Sequence, residues 1–80
     1  EPKKALENYE IALDLYRKVK DDRSVSMVLY NLARLNEEQN PSASLKYVEG
    51  ATEISRRIKD QRALAASIWF RASSIVGAGL

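Results

Sequence analysis

Three acidic side chains, Glu7, Glu10 and Asp14, recur at helical spacing on one flank of the first segment, and four cations, Arg56, Arg57, Lys59 and Arg62, crowd a short stretch of the second half. The carboxylates could form an acid pair or hold a hard cation, but no second ligand set accompanies them, and such a row reads as a solvated face. The cations could take an acidic partner or a phosphate backbone. They also fall around a predicted helix end, where the negative pole of the helix dipole favours them. The chain contains neither Cys nor His. That removes disulfides, thiolate nucleophiles, the usual zinc sites and the side chain most used for proton transfer near neutral pH. No glycine-rich loop is spaced to cradle phosphate, and no serine stands with a plausible base. These residues predict binding rather than catalysis, with no enzyme activity, no cofactor and no metal.

Charge narrows the partner class. The net charge is +2; residues 1–40 carry seven basic and eight acidic side chains, residues 41–80 six and three. A nucleic-acid domain ordinarily shows a stronger basic excess, so a protein or peptide partner is expected. The stretch ALAASIWFRASSIVGAGL is apolar enough to suggest a membrane span, but Arg71 near its middle would cost roughly 2.5 to 3.5 kcal/mol on insertion scales, which points to a buried soluble helix and no membrane. The chain opens on Glu without a charged-then-apolar leader and so reads as an excised or processed piece. Its lack of Cys suits the cytoplasm.

The elements that position these residues are written twice. Residues 1–41 laid over 40–80 match identically at Pro2/Pro41, Leu6/Leu45, Glu10/Glu49, Ala12/Ala51, Arg17/Arg56, Lys20/Lys59, Asp21/Asp60, Arg23/Arg62 and Ala33/Ala72, and conservatively at Leu15/Ile54, Val19/Ile58, Val25/Leu64, Leu29/Ile68 and Tyr30/Trp69. The period is 39 residues. Asn40 before Pro41 supplies a strong cap and a ring preset to the helical φ; Asp21 or Asp22, and Asp60, are the natural caps after each Lys-Asp pair. Four helices follow, over 2–20, 22–39, 41–59 and 61–76. The junctions KDDR and KDQR contain neither Gly nor Pro, so a tight turn and a merged long helix swapped between two chains are both open. The terminal GAGL reads as a frayed end.

Each helix carries apolar residues at three-and-four spacing. The first has Ala5, Leu6, Tyr9, Ala12, Leu13, Tyr16 and Val19, with Ile11 and Leu15 widening that side; the second has Val25, Val28, Leu29, Leu32 and Leu35. The third has Leu45, Val48, Ala51, Ile54, Ser55 and Ile58, and the fourth Leu64, Ala65, Ile68, Trp69, Ala72, Ile75 and Val76. A helix apolar on two flanks must touch two neighbours, and antiparallel helices with a fixed period predict an all-α stack of hairpins, a short α-solenoid in a single domain.

The first helix reads small-x3-aromatic-x2-small at Ala5, Tyr9 and Ala12, repeated loosely at Ser44, Val48 and Ala51, which resembles the second helix of a tetratricopeptide (TPR) repeat. Leu29, Leu32 and Ala33 are similar to the bulky-x2-Leu-small pattern of that repeat's first helix. The period exceeds the standard 34 and resembles the longer kinesin light chain type. Asn36 stands where a Tyr is usual and Arg71 where a Leu is usual. The resemblance implies that the chain starts in mid-repeat, second-type helix first, so its outermost helices lack partners and their complementary apolar faces predict either self-association as a homo-oligomer or excision from a longer repeat array. The residues expected there are Leu6, Tyr9, Leu13 and Tyr16 at one end and Ile68, Trp69, Ile75 and Val76 at the other.

The same resemblance implies a concave face of first-type helices that binds a peptide or protein surface. Here that face carries Met27, Tyr30, Asn31, Arg34, Ala66, Phe70 and Ser73, with the Asn31 amide suited to an extended backbone. The Asn position is not repeated, since Phe70 occupies it in the second half, and Asn31 reads more readily as a surface or helix-helix amide than as a ligand contact. Trp69, in register with Tyr30, reads as core or inter-repeat packing, or as a partner anchor. Phe70 lies off the stripe of Ile68, Trp69, Ala72 and Val76 and divides between interface and core. Gly50, inside a helix, predicts a close approach between helices.

Overall fold

The computed structural model describes residues 2–77. Four antiparallel helices follow one another: α1 (Pro2–Lys18), α2 (Asp22–Asn36), α3 (Pro41–Arg57) and α4 (Gln61–Gly77). The fold is all-α, as the periodicity predicts. Residues 78–80 of the terminal GAGL, with the fraying expected of them, lie outside the described residues, while Gly77 closes α4.

The duplicated text produces duplicated turns. At the end of α1 the Lys20 amide donates to the Arg17 carbonyl at 3.1 Å and the Asp21 amide to the Tyr16 carbonyl at 3.0 Å. At the end of α3 the Lys59 amide donates to Arg56 at 3.2 Å and the Asp60 amide to Ser55 at 2.9 Å. Both are Schellman closures, and each places a lysine in the left-handed region, φ 58° at Lys20 and 60° at Lys59. The aspartate that follows then starts the next helix. Asp21 accepts from the Ser24 amide at 3.2 Å and its hydroxyl at 2.7 Å; Asp60 accepts from the Ala63 amide at 3.1 Å. Two bonds close one helix and one carboxylate opens the next, so the merged-helix alternative at 20–23 and 59–62 is overturned. The first three expected helices ran two or three residues too long at their C-termini, and the fourth ended one residue short; in the first and third the reason is that lysine, unlike glycine, does not announce a left-handed stop. Between α2 and α3, Asn40 caps through the Ala43 amide at 3.2 Å, with Pro41 in the first helical position.

The helices pack in chain order. α1 lies against α2, α2 against α3 and α3 against α4; α2 also meets α4, whereas no Cα of α1 comes within 8 Å of one in α3 or α4. The Cα atoms of the stack extend 39 × 31 × 15 Å, a thin slab for an 80-residue chain.

The central helices are joined by small residues. A Cβ built on Gly50 would stand 3.2 Å from Leu29 Cδ1, which is the close approach its place in the sequence predicts. Beside it the Ser26 and Ser55 hydroxyls are 2.7 Å apart, and Ser44 donates to the Ala33 carbonyl at 2.7 Å. Buried polar atoms are thus paired, as a thin core requires. Leu13, Val25, Val28, Leu29, Leu32 and Ala51 form the main core, and Ala33, Val48 and Phe70 a second. Tyr30 and Tyr47 pack against both clusters.

Candidate functional site

The candidate sites are surfaces, and among the described residues α4 exposes more large apolar side chains than any other helix. Ser67 and Phe70 face inward, at 1% and 5% exposure, and Ser74 on the same side reaches Glu37 at 3.3 Å. The opposite side exposes Ala65, Ile68, Trp69, Ala72, Ile75 and Val76, an unbroken apolar stripe with Trp69 68% exposed. Two sequence expectations are thereby settled. Trp69 is not core within the chain, and Phe70 is, edge-on to Tyr30 with centroids 5.7 Å apart and planes at 67°. Apolar side chains run almost round α4, so periodicity alone does not select its inner face.

At the other end the expectation is corrected. Leu13 is buried in the chain's own core, and Leu6, Tyr9 and Tyr16 are half-buried against it, so these four form the α1/α2 contact rather than an open face. What α1 leaves in solvent is the row Ile11, Leu15 and Val19, 59%, 57% and 72% exposed. The signal that finds this row is the repeat itself: its counterparts are Gly50, Ile54 and Ile58, on the side of α3 where Gly50 approaches Leu29 of α2.

The remaining expected residues lie on α2 and α4, two helices that touch. Met27 and Arg34 are exposed, Tyr30, Asn31 and Ala66 half-buried, and Ser73 exposed; Phe70 belongs to the core instead of the surface. Met27, Asn31 and Arg34 follow one another at helical spacing along α2, while α4 contributes Ala66 and Ser73. A cleft of about 700 Å³ opens between the start of α1 and the end of α2, lined by Leu6 and Leu35 and by Lys3, Arg34, Glu37 and Glu38.

Among the described residues, three ion pairs link the helices. Arg57 pairs with Asp22 at 3.2 Å, tying the end of α3 to the start of α2, and Arg23 approaches Asp60 at 3.9 Å. Arg56 and Arg57 occupy the last turn of α3, the favoured place for cations. Arg71 projects from α4 toward Glu49 at 3.9 Å, both partly exposed. Glu7, Glu10 and Asp14 are exposed, and among the described residues no group of three or more His, Cys, Asp or Glu is placed to hold a metal ion. The Ser24 hydroxyl and amide hold the Asp21 carboxyl below its ordinary value. No helix of the described residues is long and apolar enough to cross a membrane.

Compared with family models, curated proteins and solved structures, the chain matches none.

Proposed function

We propose that the chain is a protein-interaction unit of TPR-like helical repeats, and that its working surface is the exposed stripe of α4. The single observation that carries this reading is the match between that stripe and α2. Thirty-nine residues before Ala65, Ile68, Trp69 and Ala72 stand Ser26, Leu29, Tyr30 and Ala33, and three of these four are buried in the packed centre of the molecule beside α3. The α4 stripe thus has the composition and spacing of a face that elsewhere in the same chain receives a helix. Large aromatic and aliphatic groups on one exposed strip also mark interfaces on physical grounds, because covering them removes apolar area from water at about 25 cal/mol per Å². A cysteine-free unit of this kind suits the reducing cytoplasm.

The test uses a synthetic peptide with the sequence of residues 41–57, the helix that covers the equivalent face of α2. Titrated into the chain, it should shift the emission of Trp69, the only tryptophan, to shorter wavelength, and the shift should vanish in Ile68→Lys. An unchanged spectrum at millimolar peptide would contradict the reading.

A second reading is supported by the meeting of α2, which carries Met27, Asn31 and Arg34, with α4, which carries Ala66 and Ser73. There the chain binds an extended peptide through the Asn31 amide and the Arg34 guanidinium. Asn31→Ala with Arg34→Ala should then abolish peptide binding while leaving the Trp69 response intact.

A further inference from the structure

We infer that the occupant of the α4 stripe is the outer row of α1 from a second copy of this chain, docked head to tail in the register of the α2/α3 contact. The inference rests on the reading of α4 as a helix-receiving face and adds its partner. Its basis is that both halves of the α2/α3 interface recur, separately and uncovered, at opposite ends of the molecule. α4 presents the counterparts of α2's side, and the Ile11, Leu15 and Val19 row of α1 presents the counterparts of Gly50, Ile54 and Ile58 on α3.

The contacts transposed by 39 residues are chemically sensible. The Tyr30–Phe70 pair becomes Trp69 against Asn31 of the next copy, an indole over a half-buried amide. Glu37 with Ser74 becomes Val76 with Leu35 of the next copy, both apolar. Leu35 lines the cleft between α1 and α2, so the cleft is the place where the last turn of an incoming α4 arrives. The ion pair Arg57–Asp22 becomes Lys18 with Gln61, which loses a charge without setting like charges together.

The copy is imperfect in two places, and both predict a weaker joint than α2/α3. Ile11 replaces Gly50, which holds Leu29 at close range, so the two axes must stand further apart; Trp69 in place of Tyr30 and Ile75 in place of Asn36 supply bulk to fill that gap. Arg71 replaces Leu32, which is fully enclosed, and its guanidinium must keep water or Glu49 at the edge of the joint. A contact between two different faces does not saturate at a dimer; it continues into a ring if the rotation closes and into a filament if it does not.

Sedimentation of the whole chain and of surface variants tests this. Wild type should associate beyond a dimer as concentration rises from micromolar to millimolar. Ile11→Lys with Leu15→Lys, and separately Ile68→Lys with Trp69→Lys, should each be monomeric with unchanged helical circular dichroism. An equimolar mixture of the two should form a 1:1 dimer and nothing larger, because each retains the face the other lacks. If either lysine pair unfolds the chain, Leu15→Gln and Trp69→Gln make the same comparison with milder changes. Arg71→Leu should tighten association by tenfold or more. A wild type that stays monomeric at 1 mM overturns the inference while leaving the residue 41–57 peptide free to bind. Self-dimerisation of the α1 variant would overturn it as well, since it would mean that α4 pairs with α4.

Discussion

Lys20 and Lys59 stand 39 residues apart and hold the same left-handed backbone angle, φ 58° and 60°, each closing a helix that the following aspartate hands over to the next. Left-handed angles crowd the Cβ of any residue except glycine, at roughly 1–2 kcal/mol. Lys20→Gly and Lys59→Gly should therefore each stabilise the fold by about 0.5–1 kcal/mol, after the greater freedom of glycine in the unfolded chain is deducted. The turns belong to separate helix ends, so the double variant should show nearly the sum, read as a rise of several degrees in Tm. Destabilisation by either substitution would contradict the turn geometry.

Gly50→Ile places in α3 the residue its counterpart carries in α1. With a Cβ already 3.2 Å from Leu29 Cδ1 and Leu29 buried, the longer side chain has no room. The variant should lose about 1–3 kcal/mol in chemical denaturation. Ile11→Gly, on a surface the lone molecule leaves open, should lose only the helix preference of about 1 kcal/mol or less. Equal losses at the two positions would show that α1 and α3 do not differ in this way.

How much of this was legible in the sequence depends on the kind of signal. The four helices are readable because Pro2 and Pro41, Asn40 and the Lys-Asp pairs mark their limits and because apolar residues recur at helical spacing. The choice between Asp21 and Asp22 is not, since either carboxylate can cap; the fold uses Asp21 and leaves Asp22 to pair with Arg57. The inner face of α4 is hidden for another reason. Ser67 and Phe70 are enclosed while Ile68 and Trp69 are not, so the most apolar row is the outer one, and a rule that buries the oiliest side selects the wrong row. The outer row of α1 is legible only through the repeat, by asking what Gly50, Ile54 and Ile58 touch.

The Asp21 cap predicts a pH dependence with a definite sign. Hydrogen bonds from the Ser24 hydroxyl and amide favour the charged carboxylate, so its folded pKa lies below the ordinary 3.8. Such a group contributes stability that is complete above the unfolded value and is lost as pH falls through the folded one. Asn caps comparably without titrating. The stability of wild type relative to Asp21→Asn should be constant above about pH 5 and decline below 3.8. A difference that grows on acidification would reverse the assignment.

The measurement that bears most directly on the end-to-end reading uses the absence of cysteine. A spin label on Glu7→Cys sits beside Asn8, the counterpart of Tyr47, which packs against the same two core clusters as Tyr30. Mixed with an isotope-labelled wild type, it should broaden the indole N–H resonance of Trp69 in the other copy, and the effect should disappear when the observed copy carries Ile68→Lys. An indole signal untouched by the label at millimolar concentration would contradict the docking of α1 on α4.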